Sequence, residues 1–545
     1  MRADLILLSE AVIPVAPAPF IGRGHVAICG ERIMAVGSGH DIASYLGPTT
    51  KIMDVGGRPV MPGFIDAHCH LEVAARMLFK HVDVRTPGCR SIADVLAKLK
   101  AAIPSMLFDG WLLGQANLFF DQKLTDRRFP TKDELDIVGP DIPIAIRAGG
   151  HLTLLNSKAL AVSGIDRNYV PPEYSVMGRC IVERDAAGDP IGIVKEMDDV
   201  LPMPRATGED LRQAIESGAH ELFTRFGVTS IGEISESIEG LETYSLLQRE
   251  HRMALRVAPH LWVPGTMSLE EACHWRDHIR LVTGPEWFDV KSVKIFSDGG
   301  YSSANAVCKQ PYLQTGSCGE MGMTLDEIRH VYEKAAAAGL GLAVHANGEV
   351  AQETVCQAVL HGKGPLPETV VRLEHGGNFL PDYEVTTDWW RRAKILPCPQ
   401  PTFLYALGDF FPIYLGDYGN RGRFPFRRML EDGWPVPGSS DVFAGGESGI
   451  TNPFFGIWCA VERQTYRGEV IDPDQRLSVD EALYMYTMDA ARLLGHERQK
   501  GSLEPGKLAD VIVLDRNPRH LNGEELRDTK VDHVFVAGRH AHARS

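Results

Sequence analysis

Two histidines stand one residue apart in Pro62-Gly-Phe-Ile-Asp-Ala-His-Cys-His70. In an extended strand side chains alternate, so His68 and His70 face one way and Cys69 the other. Two imidazoles converging at a strand end form half of a zinc-type site, a metal that neutral imidazole suits. Four further polar residues close other apolar runs: Lys294 in Val293-Lys-Ile-Phe-Ser-Asp298, His345 after Gly341-Leu-Ala-Val, His375 after Val370-Val-Arg-Leu-Glu, and Asp441 in Gly438-Ser-Ser-Asp441. Singly, each has an ordinary explanation. A strand-end histidine serves as a hydrogen-bonded cap, and an interior lysine pairs with a carboxylate such as Asp298 or Glu233. Jointly, at strand ends, they point to a metal centre at the mouth of a barrel.

The elements that would carry these residues follow a βα rhythm, short apolar runs alternating with helix-like segments. Eight candidate strands are legible: Val60 to His70, Val228 to Glu233, Ala254 to Leu261, Val290 to Ser297, Gly341 to His345, Val370 to His375, Ile395 to Pro399 and Pro435 to Asp441. Leu325 to Ala338 reads as one connecting helix, with Ile328, Val331, Tyr332 and Ala335 on one face. The predicted fold is α/β, a (β/α)8 TIM-type barrel over residues 59–498. The stretch from about 80 to 220 is too long for one crossover and has strand-like runs of its own (Ile142 to Arg147, Cys180 to Arg184). It reads as an insertion subdomain after the first barrel strand, lying over the mouth. Residues 1–58 and 499–545 are β-rich at both ends of the chain, with a hairpin signal at Gly30-Glu31. They are expected to form one small β-sandwich domain, Asp4 to Val55 pairing against Asp510 to Val536.

Composition narrows the function. A formal net charge of −15 over 545 residues disfavours nucleic acid and anionic membranes as partners. No apolar run approaches the roughly 18 residues of a membrane span. The N-terminal residues do not read as a signal peptide, so the cytoplasm is the expected location. Ten cysteines are scattered without a C-x-x-C pair, which suggests reduced, mostly buried thiols. The expected partner is a small-molecule substrate; homo-oligomerisation stays open.

The chain resembles the amidohydrolase superfamily, in particular the amidohydrolase 3 branch that includes YtcJ-like proteins and N-substituted formamide deformylases. The resemblance rests on PGFIDAHCH, GGHLTLLNSKAL (149–160), VKIFSDGG (293–300), HANGE (345–349), RLEHGG (372–377), GSSD (438–441) and GSLEPGKLADVIVLD (501–515), in that order over nearly the whole chain. It implies that His68, His70, Lys294, His345, His375 and Asp441 bind one or two divalent ions, Zn2+ above all, with Lys294 carboxylated to a bridging carbamate. It implies that metal-activated hydroxide cleaves a C–N amide-type bond, N-acyl or N-formyl, with Asp441 as general base and acid. His151 matches a position in the family's G-H…N-S motif and is a candidate substrate contact; its other reading is a residue fixing the insertion's own loop. The chain departs from the family at Glu349, often Asp, at Gly299-Gly-Tyr-Ser-Ser303 and at Gly376-Gly377, which bears on substrate identity. Hydrolysis of a cyclic amide, urea or lactone stays open. A deaminase would typically carry glutamate three residues after the strand-five histidine, where this chain has Gly348. A non-catalytic binding protein on the same fold is the remaining alternative.

Overall fold

The computed structural model describes residues 2–18, 20–39, 41–363, 370–443 and 446–544. Seven parallel strands form a nearly closed barrel: β1 (Phe64–Cys69), β2 (Val228–Ile234), β3 (Arg256–Trp262), β4 (Ser292–Phe296), β5 (Gly341–His345), β6 (Val371–Glu374) and β7 (Leu396–Cys398). Every residue of β1 to β5 is buried. The register levels their upper ends. Phe296 pairs with His345, His345 with Glu374, and Glu374 with Cys398. The helix between β4 and β5, Leu325–Ala337, buries Ile328, Val331, Tyr332 and Ala335, the face expected from the 3.6-residue period.

The eighth expected strand, Pro435 to Asp441, is not a strand. Residues 435–442 run irregularly along β1, where Gly438 O accepts from Ala67 N–H at 3.0 Å and Asp441 N–H donates to His68 O at 2.8 Å. Toward β7 the ladder is replaced by side chains, with Ser439 Oγ donating to Pro399 O at 2.8 Å and Gln400 Nε2 to Ser439 Oγ at 3.2 Å. The cause is local. Pro435 and Pro437 offer no N–H, and Asp441 turns to the left-handed region at φ 47°.

The first expected strand divides in two. Val60–Pro62 belongs to an eight-stranded sheet, and the barrel strand starts at Phe64. That sheet runs in the order Arg539–Ala543, Val531–Val536, Val511–Leu514, Val60–Pro62, Leu5–Val12, Gly22–Cys29 and Arg32–Ser38, with Lys51–Asp54 beside Leu5–Val12. Strands from both ends therefore meet in one sheet, but they do so through Val60–Pro62, which pairs with Val511–Leu514 on one side and Val12 on the other. The switch occurs at Gly63, where a Cβ would collide with Cγ2 and Oγ1 of the buried Thr229. Because Thr229 is β-branched, it cannot swing clear. Gly63→Ala is expected to cost about 1–3 kcal/mol by overpacking, read as a lowered Tm.

Residues 82–195 carry a second seven-stranded sheet, built on Trp111–Gln115, Ile144–Arg147, Leu152–Leu155 and Pro190–Lys195, with its own buried cores around Val95, Leu112 and Ile146 and around Leu113 and Val194. The ten cysteines are all free. No helix among the described residues is long and apolar enough to cross a membrane.

Candidate functional site

The six residues singled out from the sequence line one cavity at the upper ends of the strands. His68 and His70 come from the end of β1, Lys294 from β4, His345 from β5, His375 from the residue after β6, and Asp441 from the irregular eighth segment. Nε2 of His68 lies 3.1 Å and Nε2 of His70 3.4 Å from Asp441 Oδ1, while His375 Nδ1 lies 3.9 Å from Asp441 Oδ2. His375 Nε2 is 3.0 Å from His345 Nδ1. The ligating atoms of His68, His70 and Asp441 all lie within 4.8 Å of one another, the spacing of donors that share an ion.

Three of these side chains are oriented from behind. The buried carboxylate of Glu374 accepts from His68 Nδ1, and Arg372 clamps that carboxylate. This fixes the His68 tautomer so that Nε2 faces the cavity. His375 Nδ1–H donates to Gln400 Oε1 at 2.7 Å. Asp66, pushed up to about 6 by burial, accepts from Ser440 N–H at 3.0 Å and ties the Asp441 turn to β1. His375 and Asp441 both adopt left-handed backbone, at φ 74° and 47°. Such conformations cost on the order of 1–3 kcal/mol in non-glycine residues and collect at functional sites. At His375 the reversal lets consecutive residues, Glu374 and His375, both face inward.

Lys294 is wholly buried, and among the described residues its Nζ has no hydrogen-bond partner. It lies 4.6 Å above the Phe296 ring. Burial pulls its pKa down to about 8 against the pull of Glu374 and Asp441, so a larger share is neutral amine than for an exposed lysine. The carboxylates that could have paired with it are engaged elsewhere. Asp298 accepts from the N–H groups of Val307, Asn347 and Gly348, and Glu233 from those of Leu71 and Glu72 and from Tyr244 O–H. Burial, the neighbouring His375 and nearby cations hold His345 well below the usual imidazole range, and burial brings His375 down to about 4. Both are neutral imidazoles at pH 7. Burial raises the Asp441 carboxyl, but His68, His70 and His375 outweigh it and keep it ionised.

His151 reaches the same cavity from the insertion, its ring 5.4 Å from that of His345. Glu349 does not belong to the site: it starts the helix Glu349–His361, and its Oε1 accepts from Lys309 N–H and Tyr418 O–H. Glu374, Gln400 and Glu196 escaped the sequence reading. The one available signal was Glu374 at an alternate position to Arg372 on an apolar strand, an ion pair directed into the barrel.

The amidohydrolase family matches residues 51–542. The N-substituted formamide deformylase of Arthrobacter pascens is 29% identical over 530 residues, covering 94% of each chain. Among solved structures, an uncharacterised metal-dependent hydrolase from Pyrococcus furiosus is 25% identical with a TM-score of 0.68, over 94% of this chain and 99% of that one. A second, from Pyrococcus horikoshii OT3, has a TM-score of 0.70 at 23% identity over 95% of this chain and 98% of that one. The chain belongs to the amidohydrolase family. It is a hydrolase acting on carbon–nitrogen bonds.

Proposed function

We propose that this protein hydrolyses the C–N bond of an N-formyl or short N-acyl amide with an apolar nitrogen substituent, using one or two divalent ions, Zn2+ foremost. The observation that carries the reading is the buried, unpartnered Lys294 amine in a cavity shared with His68, His70, His345, His375 and Asp441. A buried polar group without a partner is costly. Addition of carbon dioxide to the neutral amine, with loss of one proton, would convert it into an anionic oxygen donor. His68, His70, His345, His375, Asp441 and carboxylated Lys294 would then hold the metal. Bound there, a divalent ion supplies Lewis acidity and an activated water at neutral pH.

The chain's own groups supply the rest. Asp441, ionised and beside His68 and His70, is placed to hold the proton released when water adds and to return it to the departing nitrogen. Leu118, Met177, Phe296, Phe403, Leu407 and Phe443 give the cavity an apolar wall suited to an aliphatic or aromatic substituent. The relative from Arthrobacter pascens, which by its name removes formyl groups from N-substituted formamides, supports a small acyl group. Deamination is disfavoured because Gly348 stands where a deaminase typically carries glutamate. Gly348 lies so close to the Val307 backbone that any side chain there would collide with it.

Purified protein is expected to carry one to two equivalents of divalent metal by elemental analysis. Chelation should abolish turnover of 4-nitroformanilide, and reloading should restore it. Carefully loaded protein without stoichiometric metal would sink the reading. Turnover of a lactone or cyclic urea in place of every open-chain amide would redirect it to those carbonyls.

A further inference from the structure

The insertion sends one ionisable pair into the cavity, and the site described above makes no use of it. His151 Nδ1 lies 2.6 Å from Glu196 Oε2, Ser303 Oγ donates to Glu196 Oε1 at 3.1 Å, and Glu196 N–H donates to His151 O at 3.1 Å. Glu196 is wholly buried and sits in left-handed backbone at φ 53°. Two glycines admit the pair. A Cβ on Gly299 would come within 2.8 Å of Glu196 Oε1, and one on Gly300 within 2.9 Å of the His151 ring. Both lie just beyond β4, the strand that carries Lys294.

A carboxylate removed from water is tolerated when a cation and hydrogen bonds compensate it. Ser303 provides one bond, and among the described residues His151 is the titratable group that meets the other oxygen. The ring therefore directs Nδ1–H at Glu196, which fixes its orientation in the cavity wall. With Nδ1–H committed to Glu196, the ring has one polar atom left. That atom, Nε2, makes no hydrogen bond among the described residues, His151 lines the cavity, and a proton taken up there would have the Glu196 carboxylate as its counter-charge.

We infer that His151 is a catalytic residue whose Nε2–H hydrogen-bonds the carbonyl oxygen of the substrate, with Glu196 as its positioning residue. The inference rests on the amide-hydrolase reading above and deepens it. As water adds to the carbonyl carbon, the oxygen gains negative charge, and a donor fixed beforehand by a buried carboxylate stabilises that charge without reorganising. The same contact selects for a small acyl group, since the carbonyl must fit between His151 and the four histidines. A donor on the insertion would also make activity depend on how that segment sits over the barrel. The alternative is a buried ion pair that merely ties the insertion down.

The metal-loaded protein decides between them. His151→Ala should lower kcat on 4-nitroformanilide by about 10²–10³-fold, the usual cost of losing one such donor, with KM changed little and metal content intact. Added imidazole should restore part of it, and Glu196→Gln should fall in the same direction by a smaller factor. In the slow Asp441→Asn background, the infrared band of 13C-carbonyl-labelled anilide should move to higher frequency when His151 is also removed. An unchanged kcat and band, with a lowered Tm alone, would overturn the inference, as would a rise in KM alone. If the wild type turns over a lactone or cyclic urea but no anilide, the substrate reading fails. The same His151 comparison on that carbonyl then decides the inference separately.

Discussion

Asp441→Asn is expected to keep most of its metal and to lose about 10²–10⁴-fold in kcat, the usual cost of losing a general base. The substitution is clean for a structural reason. Asp441 occupies left-handed backbone at φ 47°, a conformation that asparagine tolerates about as well as aspartate. Its N–H bond to His68 O at 2.8 Å is a main-chain contact and survives the change. The amide keeps one oxygen toward His68 and His70 but has no site for a proton. His345→Ala and His375→Ala are expected to lose metal and activity together, because each removes a neutral imidazole. If Asp441→Asn kept more than about a tenth of the activity, the proton would have to pass through another group. Glu349 cannot supply that route, since its Oε1 is bonded to Lys309 N–H and Tyr418 O–H outside the cavity.

Lys294→Ala is the other large effect. An ordinary buried lysine in an ion pair would, when truncated, leave a carboxylate stranded, but no carboxylate pairs with Lys294 among the described residues. A purely structural lysine would thus leave the metal content untouched on truncation. If Lys294 is the carboxylated donor, the variant should retain at most one ion and lose on the order of 10²–10³-fold in turnover, the equivalent of several kcal/mol of metal-borne stabilisation. Formate, acetate or propionate should then partly restore both, by placing a carboxylate in the space left by the side chain. Two tightly bound ions and near-normal turnover in Lys294→Ala would exclude the carbamate. Mass spectrometry under native conditions, showing the added mass of carbon dioxide on the wild type and not on the variant, gives a readout independent of activity.

The barrel was legible because its strands are apolar runs ending in one polar residue, and alternation does the rest: Gly341 to His345 could be read with its limits intact. The site was legible for the same reason, since His68, His345 and Lys294 stand on regular strands. What regular periodicity cannot show is a reversal of the backbone. In the eighth segment Pro435 and Pro437 argue against a strand, but nothing in Gly438-Ser-Ser-Asp441 announces the left-handed turn. Val60 to His70 was read as one strand because Gly63 looks like any glycine until Thr229 of β2 is packed against it. Glu374, Gln400 and Glu196 were missed because each acts on a histidine distant in sequence, across 306, 25 and 45 residues. Such pairings are set by the closed barrel and the docked insertion, and no local window contains them.

The segment at residues 435–442 also dictates an order of events during synthesis. Ser440 N–H reaches Asp66 across 374 residues, and Val60–Pro62 acquires its neighbour Val511–Leu514 later still. A chain leaving the ribosome from its N-terminal end exposes His68 and His70 while Asp441 has yet to be translated. Until then β1 has an open edge where residues 435–442 will lie, and contacts this distant in sequence are the slow ones to form. The insertion, whose strands pair within residues 82–195, can fold on the nascent chain well before that. The site is therefore assembled back to front: the insertion's sheet can form before the barrel closes, and the histidines first meet their aspartate when about four-fifths of the 545 residues have been made.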